Sequence, residues 1–233
     1  MMLVRFALGV IAVSGCGLIS PNVTTYDLDL PAQTFSVDSS GWQVQSGAIT
    51  DYLSRSCSPT TSSLCANAAS AACPMNCTGT CDMAQQTCDL GLDIALHQTI
   101  DLLSEKPELK SIDAATTVLQ VTVDSVDYEI TNNSLSIDTP PLTIYVAPMS
   151  VMDPNDAMAK AVGTIEVVPA GTTVTTRAMT FTDGGQARLS ATLADFKNPF
   201  NILVGGTLLL AHGDTIPKGR LDASVHVRAH ASP

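Results

Sequence analysis

The stretch DLGLDIALHQTIDL, residues 89–102, decides how the rest of the chain is read. Leu90, Leu92, Ile94, Leu96, Ile100 and Leu102 fall on alternate positions, interrupted only by Gln98. Asp89, Asp93, His97, Thr99 and Asp101 occupy the positions between. Successive side chains of a strand point to opposite faces, so a period of two predicts one half-buried strand or a bent pair. The same code recurs on both sides. Tyr26, Leu28 and Leu30 alternate with Asp27 and Asp29, and Val126, Tyr128 and Ile130 alternate with Asp127, Glu129 and Thr131. Asn132-Asn133 then offers turn residues tolerant of positive φ, with Leu135 and Ile137 continuing beyond. Leu142, Ile144 and Val146 follow Pro140-Pro141, and Ile165 and Val167 lie between the turns Asp153-Pro154-Asn155-Asp156 and Pro169-Ala170-Gly171. Thr172 to Thr182 is Thr-rich and β-prone. Residues 202–210 and 221–229 close the chain as strands, the last with Leu221, Ala223, Val225, Val227 and Ala229 facing inward.

One helix interrupts this pattern. Leu189, Leu193 and Phe196 recur at helical spacing, Asp183 stands where a cap belongs, and Asn198-Pro199 ends the run. Short strands separated by Gly, Pro and Asn turns predict a mainly β protein, an antiparallel β-sandwich of immunoglobulin-like type. One-faced alternation favours antiparallel pairing, because parallel strands read as continuous apolar runs. An α+β sheet with the 183–198 helix on one face is the alternative.

Six cysteines, Cys57, Cys65, Cys73, Cys77, Cys81 and Cys88, crowd into 32 residues, and none occurs in the 145 that follow. The block is rich in Ser, Thr, Ala and Asn and nearly lacks large apolar side chains, so packing alone cannot order it. An even count in an exported chain implies disulfides, with fifteen connectivities open. Residues 62–73 predict a short Ala-rich helix capped by Thr61 or Ser62, with Pro74 and Gly79 breaking the chain into turns. The alternative is a metal site on Cys73-x3-Cys77-x3-Cys81. It lacks the paired spacing of structural zinc sites and the C-x2-C-x2-C run of iron–sulfur proteins. The organisation expected is therefore first strands over 25–56, a cysteine-rich insertion over 57–88 and a sandwich over 89–233.

The chain opens MMLVRFALGVIAVSGC. Arg5, an apolar run from Phe6 to Val13 and the small residues Ser14 and Gly15 are the parts of a secretory signal. Val13-Ser14-Gly15-Cys16 resembles the lipobox of bacterial lipoproteins. That resemblance implies cleavage after residue 15, diacylglycerol on the Cys16 sulfur and a fatty acid such as palmitate on its new amino group. Residues 16–24 then become a linker to the membrane. Gly17 stands where the enteric sorting rule has an aspartate for inner-membrane retention, so the implied address is the outer membrane. An ordinary signal peptide cut after Ala12-Val13-Ser14, or a short buried helix opening a domain, also fits these residues. The Asn22-Val-Thr, Asn76-Cys-Thr and Asn132-Asn-Ser sequons matter only on a eukaryotic secretory route. A second resemblance lies in Lys197-Asn198-Pro199-Phe200-Asn201, which is similar to the Asn-Pro-x-Asn stretch of late-embryogenesis-abundant type 2 domains. Those are small β-sandwiches; the five residues sit later here than in that family and imply topology only.

Composition narrows the function. Apolar residues make up 45% of the chain, enough for a core, while aromatics at 4% leave Val, Ile, Leu, Ala and Met to build it. The net charge of −11, which becomes −12 once Arg5 leaves with residues 1–15, repels phosphate backbones and argues against nucleic acid and against charge-driven docking on anionic lipid. After the leader, the longest apolar run, residues 202–211, is too short to span a bilayer. His226 and His230 on one strand stand roughly 13 Å apart, too far to share an ion, and the same spacing separates His97 from Asp93 and Asp101. His212 falls in a turn with Gly213-Asp214. G-x-S-x-G, H-E-x-x-H, the P-loop, G-x-G-x-x-G and an EF-hand loop are all absent from the sequence. The expectation is a non-enzymatic, lipid-anchored envelope protein without a cofactor, its partner unidentified beyond the membrane that holds Cys16. A hydrolase built from scattered residues and a carrier of apolar ligands are the competing readings.

Overall fold

The computed structural model describes residues 25–111 and 119–232, so the leader and Cys16 lie outside the described residues. Two antiparallel sheets share one core. In the first, β1 (Tyr26–Asp27) and β2 (Gln33–Asp38) run end to end along one side of β11 (Arg220–Ser232). On the other side of β11 lies β5 (Gln120–Asn133), followed by β8 (Val174–Ala178). The second sheet is ordered β3 (Cys77–Asp82), β4 (Thr87–Ile100), β10 (Phe200–Leu210), β6 (Leu142–Pro148), β7 (Lys160–Ile165) and β9 (Thr180–Phe181). The architecture is the expected mainly β, antiparallel sandwich. The chain changes sheets between β8 and β9 at the buried Met179, which joins the two layers along one edge.

Residues 89–102 behave as read over most of their length. Leu90, Leu92, Ile94 and Ile100 of β4 are buried and Leu96 is half-buried. The strand ends two residues early. The Asp101 carboxylate accepts from the amides of Leu103 at 3.1 Å and Ser104 at 3.4 Å, turning the chain into the single-turn helix α3 (Leu102–Glu105). Leu102 is buried from that helix rather than from a strand.

Three further expectations are corrected. Asn132-Asn133 is no left-handed turn, because β5 runs through both residues. Asn133 is buried, and its amide donates to the carbonyls of Pro169 and Thr172 at 3.0 Å each, pinning the Pro169–Thr172 turn against the sheet. The late helix, α4 (Gly185–Ala194), is capped by Gly184 at φ +67° and not by Asp183. Its entry passes so close to the Val162 carbonyl that a Cβ at Gly185 would overlap it. Finally, the chain holds more than one short helix outside the cysteine block: α1 (Ser46–Leu53) buries Ile49, Tyr52 and Leu53 at positions i, i+3 and i+4. Gly47 and the β-branched Ile49 and Thr50 give it poor intrinsic propensity, so tertiary packing must stabilise it. In the α+β alternative, α4 would lie on one sheet; instead it contacts both β5 and β7, one strand from each layer.

Candidate functional site

The cysteine block folds as part of the sandwich. The Ala-rich helix α2 (Ser63–Ala72) forms where expected, although neither candidate cap acts as one: Ser62 makes no side-chain cap bond, and the Thr61 hydroxyl accepts from the Ser58 amide instead. β3 is hydrogen-bonded to β4 as an edge strand of the second sheet, with Cys81 directly opposite Cys88. The pairs are Cys57–Cys81, Cys65–Cys88 and Cys73–Cys77, with Cα separations of 5.9, 5.4 and 6.1 Å. Cys65 and Cys88 are fully buried. The Tyr52 hydroxyl lies 3.0 Å from the Asp89 carbonyl and 3.2 Å from that of Cys65, tying α1, α2 and β4 together. Burial, then the Asp89 charge, pushes its pKa up to about 12, so it remains a donor. Gly79 of β3 leaves room for this contact, because a Cβ there would run into the Cys65 carbonyl and the Tyr52 hydroxyl.

Sulfur atoms do gather, but in a set that spacing did not suggest. The Sγ atoms of Cys57, Cys65 and Cys81 lie within 4.8 Å of one another, drawn from two different disulfides. Cys73 and Cys77, which with Cys81 formed the sequence's candidate thiolate set, pair with each other. Sequence spacing fails here because α2 folds back over β3, so proximity follows helix–strand packing and not chain distance.

Next to this cluster lies a buried acid. Asp89 is 6% exposed, and its Oδ1 has no hydrogen-bond partner among the described residues. Burial first, then the charges of Asp82 and Asp214, raises its pKa above the usual carboxylate range. A raised folded-state pKa means that its contribution to stability is present at acid pH and is lost as pH rises through that value. Asp89→Asn should therefore stabilise the protein at pH 7.5, by about 1 kcal/mol, because the amide keeps the shape and removes the desolvated charge. The gain should shrink at pH 3.5, where the wild-type carboxyl is protonated as well. Urea unfolding at the two pH values reads this out; an equal or larger gain at pH 3.5 would contradict it.

The histidines stay apart. His97 is exposed on β4, and the ring of His212 faces the Leu53 carbonyl at 3.2 Å. His230 Nδ1 lies 2.9 Å from the Asp124 carboxylate, a pairing independent of His226.

A second feature has no counterpart in the sequence reading. Where α4 meets the ends of β6, β7 and β10, a groove of about 680 Å³ opens to solvent. Its floor includes Val146 and Phe200 from the main core and Ala191 and Thr192 from α4, whose small side chains leave the space open. Met158 and Pro199 line its flanks. Lys160 and Arg188 stand at the rim with Asp195 opposite charge among them. Arg188 is braced by hydrogen bonds of 2.9 Å to the carbonyls of Ala161 and Asp183, and Lys160 by one of 2.8 Å to that of Ala157. By contrast, the space between the sheets around Val37, Trp42, Ile94 and Leu208 amounts to about 10 Å³. Of these two spaces, the one beside α4 at the mouth of the sandwich has room for a ligand; further surface grooves of about 420 and 500 Å³ lie beside α1 and along β2 and β11. Comparison with family models, with curated protein sequences and with solved structures finds no match for this chain.

Proposed function

We propose that this is a lipid-anchored protein of the bacterial outer membrane, tethered through Cys16, that binds an apolar ligand bearing an anionic group and performs no chemistry on it. The groove beside α4 carries the reading. Its volume falls within the range of about 300–1,000 Å³ typical of small-molecule sites, and its floor is apolar with few polar groups. Lys160 and Arg188 outnumber Asp195 at its rim in a protein of net charge −11, so an acidic head group meets net positive charge there. An amphiphile with one acyl chain suits this arrangement, each buried methylene contributing about 0.8 kcal/mol. The lipobox-like Val13-Ser14-Gly15-Cys16 supports the tether, and three disulfides within the block favour an oxidising compartment.

Binding of a fluorescent long-chain fatty acid tests the groove. Ala191→Trp, which fills it, should weaken binding at least about tenfold, equivalent to 1.4 kcal/mol. Arg188→Glu should weaken the acid but leave the corresponding alcohol unchanged. Wild-type affinity in both variants would end the reading. The tether is tested separately by membrane fractionation with metabolic acyl labelling: wild type should carry label in the membrane fraction, and Cys16→Ala should be unlabelled. An unlabelled, soluble wild type would refute the anchor.

A further inference from the structure

We propose that the cysteine module has a second covalent state, reached by thiol-catalysed exchange between its two adjoining disulfides: Cys57–Cys81 and Cys65–Cys88 rearrange to Cys57–Cys65 and Cys81–Cys88. Three observations support it. First, the sulfurs of Cys57, Cys65 and Cys81 lie within 4.8 Å of one another although they belong to two bonds. Side-chain rotation with a modest backbone shift brings that separation to the length of a bond, about 2 Å. Second, Cys81 and Cys88 are direct partners in the β3–β4 register and share one face of the sheet. Facing Cα atoms of an antiparallel pair stand about 4.5–5.5 Å apart, within the span that a disulfide bridges. The Cys81–Cys88 pair thus needs no change of strand register, and the Cys57–Cys65 pair needs only the shift just described. Third, access differs between the bonds. Cys65 and Cys88 are 0% exposed, whereas Cys81 is only partly buried and adjoins the exposed hairpin residues 83–86, its Sγ 3.8 Å from the Met83 sulfur. Of these two bonds, a thiol from solution meets Cys57–Cys81 first.

The steps balance with a thiol as catalyst alone. An incoming thiolate attacks Cys81 Sγ, forming a mixed disulfide there, and the electron pair of the Cys57–Cys81 bond leaves on Cys57. The Cys57 thiolate, beside Cys65, attacks its Sγ; the Cys57–Cys65 bond forms, the Cys65–Cys88 bond breaks, and Cys88 departs as thiolate. Cys88 then attacks Cys81 Sγ across the two strands and expels the original thiolate. Two disulfides are present before and after, and nothing is oxidised or reduced overall. Because Cys57 precedes α2, Cys65 lies within it, and Cys81 and Cys88 lie on β3 and β4, the exchange replaces one segment-to-sheet and one helix-to-sheet crosslink with one between helix and segment and one inside the sheet. The second state releases the middle of α2 from β4 and leaves Cys73–Cys77, between the C-cap of α2 and the start of β3, as the crosslink that holds the helix to the sheet. A small thiol therefore changes how α2 is attached, from two crosslinks to the sheet to one.

The test uses the folded wild-type chain, incubated with reduced glutathione under native conditions, quenched in acid at intervals and mapped by non-reducing peptic digestion. Peptides linked through Cys57–Cys65 and Cys81–Cys88 should be undetected at the start and should then rise together in equal amounts, with Cys73–Cys77 preserved. A urea-unfolded sample exposed to the same thiol shows that every isomer is detectable. Persistence of only Cys57–Cys81 and Cys65–Cys88 overturns the proposal. Reduction of Cys57 and Cys81 with Cys65–Cys88 intact also overturns it, and so does scrambling that draws in Cys73 and Cys77, the signature of exchange through unfolding.

Discussion

Replacing Cys65 and Cys88 together with alanine is expected to lower the stability of the protein by about 3 kcal/mol or more, the largest loss from any one of the three crosslinks. The bond closes a separation of 23 residues, and the loop-closure entropy it removes from the unfolded chain is worth about 3 kcal/mol. Both sulfurs are also fully buried in the main core, so the double variant loses packing in addition. α2 is the part most affected. It is built from Ser, Ala, Asn and a single Leu, and that Leu64 is 46% exposed, so little apolar area holds it to β3 and β4. Cys73→Ala/Cys77→Ala is the natural comparison, since that bond closes a separation of only 4 residues and should cost less. Guanidinium unfolding followed by tryptophan fluorescence suits the measurement. Trp42 is buried, and its indole nitrogen donates to the Asp93 carbonyl of β4 at 2.9 Å, so it reports directly on this end of the sandwich. A loss under about 1 kcal/mol for the Cys65/Cys88 variant would mean that helix and sheet are held by contacts other than the crosslink.

Asn201→Leu should destabilise the protein to a similar degree by another route. Asn201 is 0% exposed and uses its whole side chain. Its Oδ1 accepts from the Thr99 hydroxyl at 2.7 Å, and its Nδ2 donates to the carbonyls of Met149 at 3.0 Å and Val151 at 2.7 Å. Leucine has the same heavy-atom skeleton with bulkier methyl groups, and it strands one hydroxyl and two carbonyls. At about 1 kcal/mol for each lost partner, the loss is about 3 kcal/mol. The consequence extends beyond stability. Residues 149–159 fold over the outer face of the second sheet, where Val151 packs on Leu203 and Ala147, and they lead to Met158 and Lys160 of the groove. Hydrogen exchange across 149–159 should therefore accelerate in the variant more than across β11, which lies in the other sheet. Uniform acceleration would show that Asn201 supports the fold as a whole and has no particular hold on this loop.

That asparagine also marks how far linear reading extends. Lys197-Asn198-Pro199-Phe200-Asn201 stood out as a motif, and the strand after it formed, but nothing in five residues indicates that Asn201 reaches two carbonyls about fifty positions earlier. Asn133 repeats the lesson from the other direction. Its composition signalled a turn, yet burial against Pro169 and Thr172 drew it into a strand, because an amide that satisfies two carbonyls outweighs its preference for turns. The groove was illegible for the same kind of reason: its floor combines residues from β6, α4 and β10 that share no pattern in the chain.

Alternation by itself determined that this protein is built mainly of strands with one face buried, since a period of two is met by an extended backbone and not by a helix. Cysteine count and local composition likewise determined that residues 57–88 depend on crosslinks, because so little apolar surface is available there. Which sulfur meets which, where α1 forms, how α4 wedges between layers and where a ligand-sized space opens were decided only in three dimensions. Each depends on contacts between segments far apart in the chain, and the free energy of such contacts is set by the geometry of burial, to which no local pattern is sensitive.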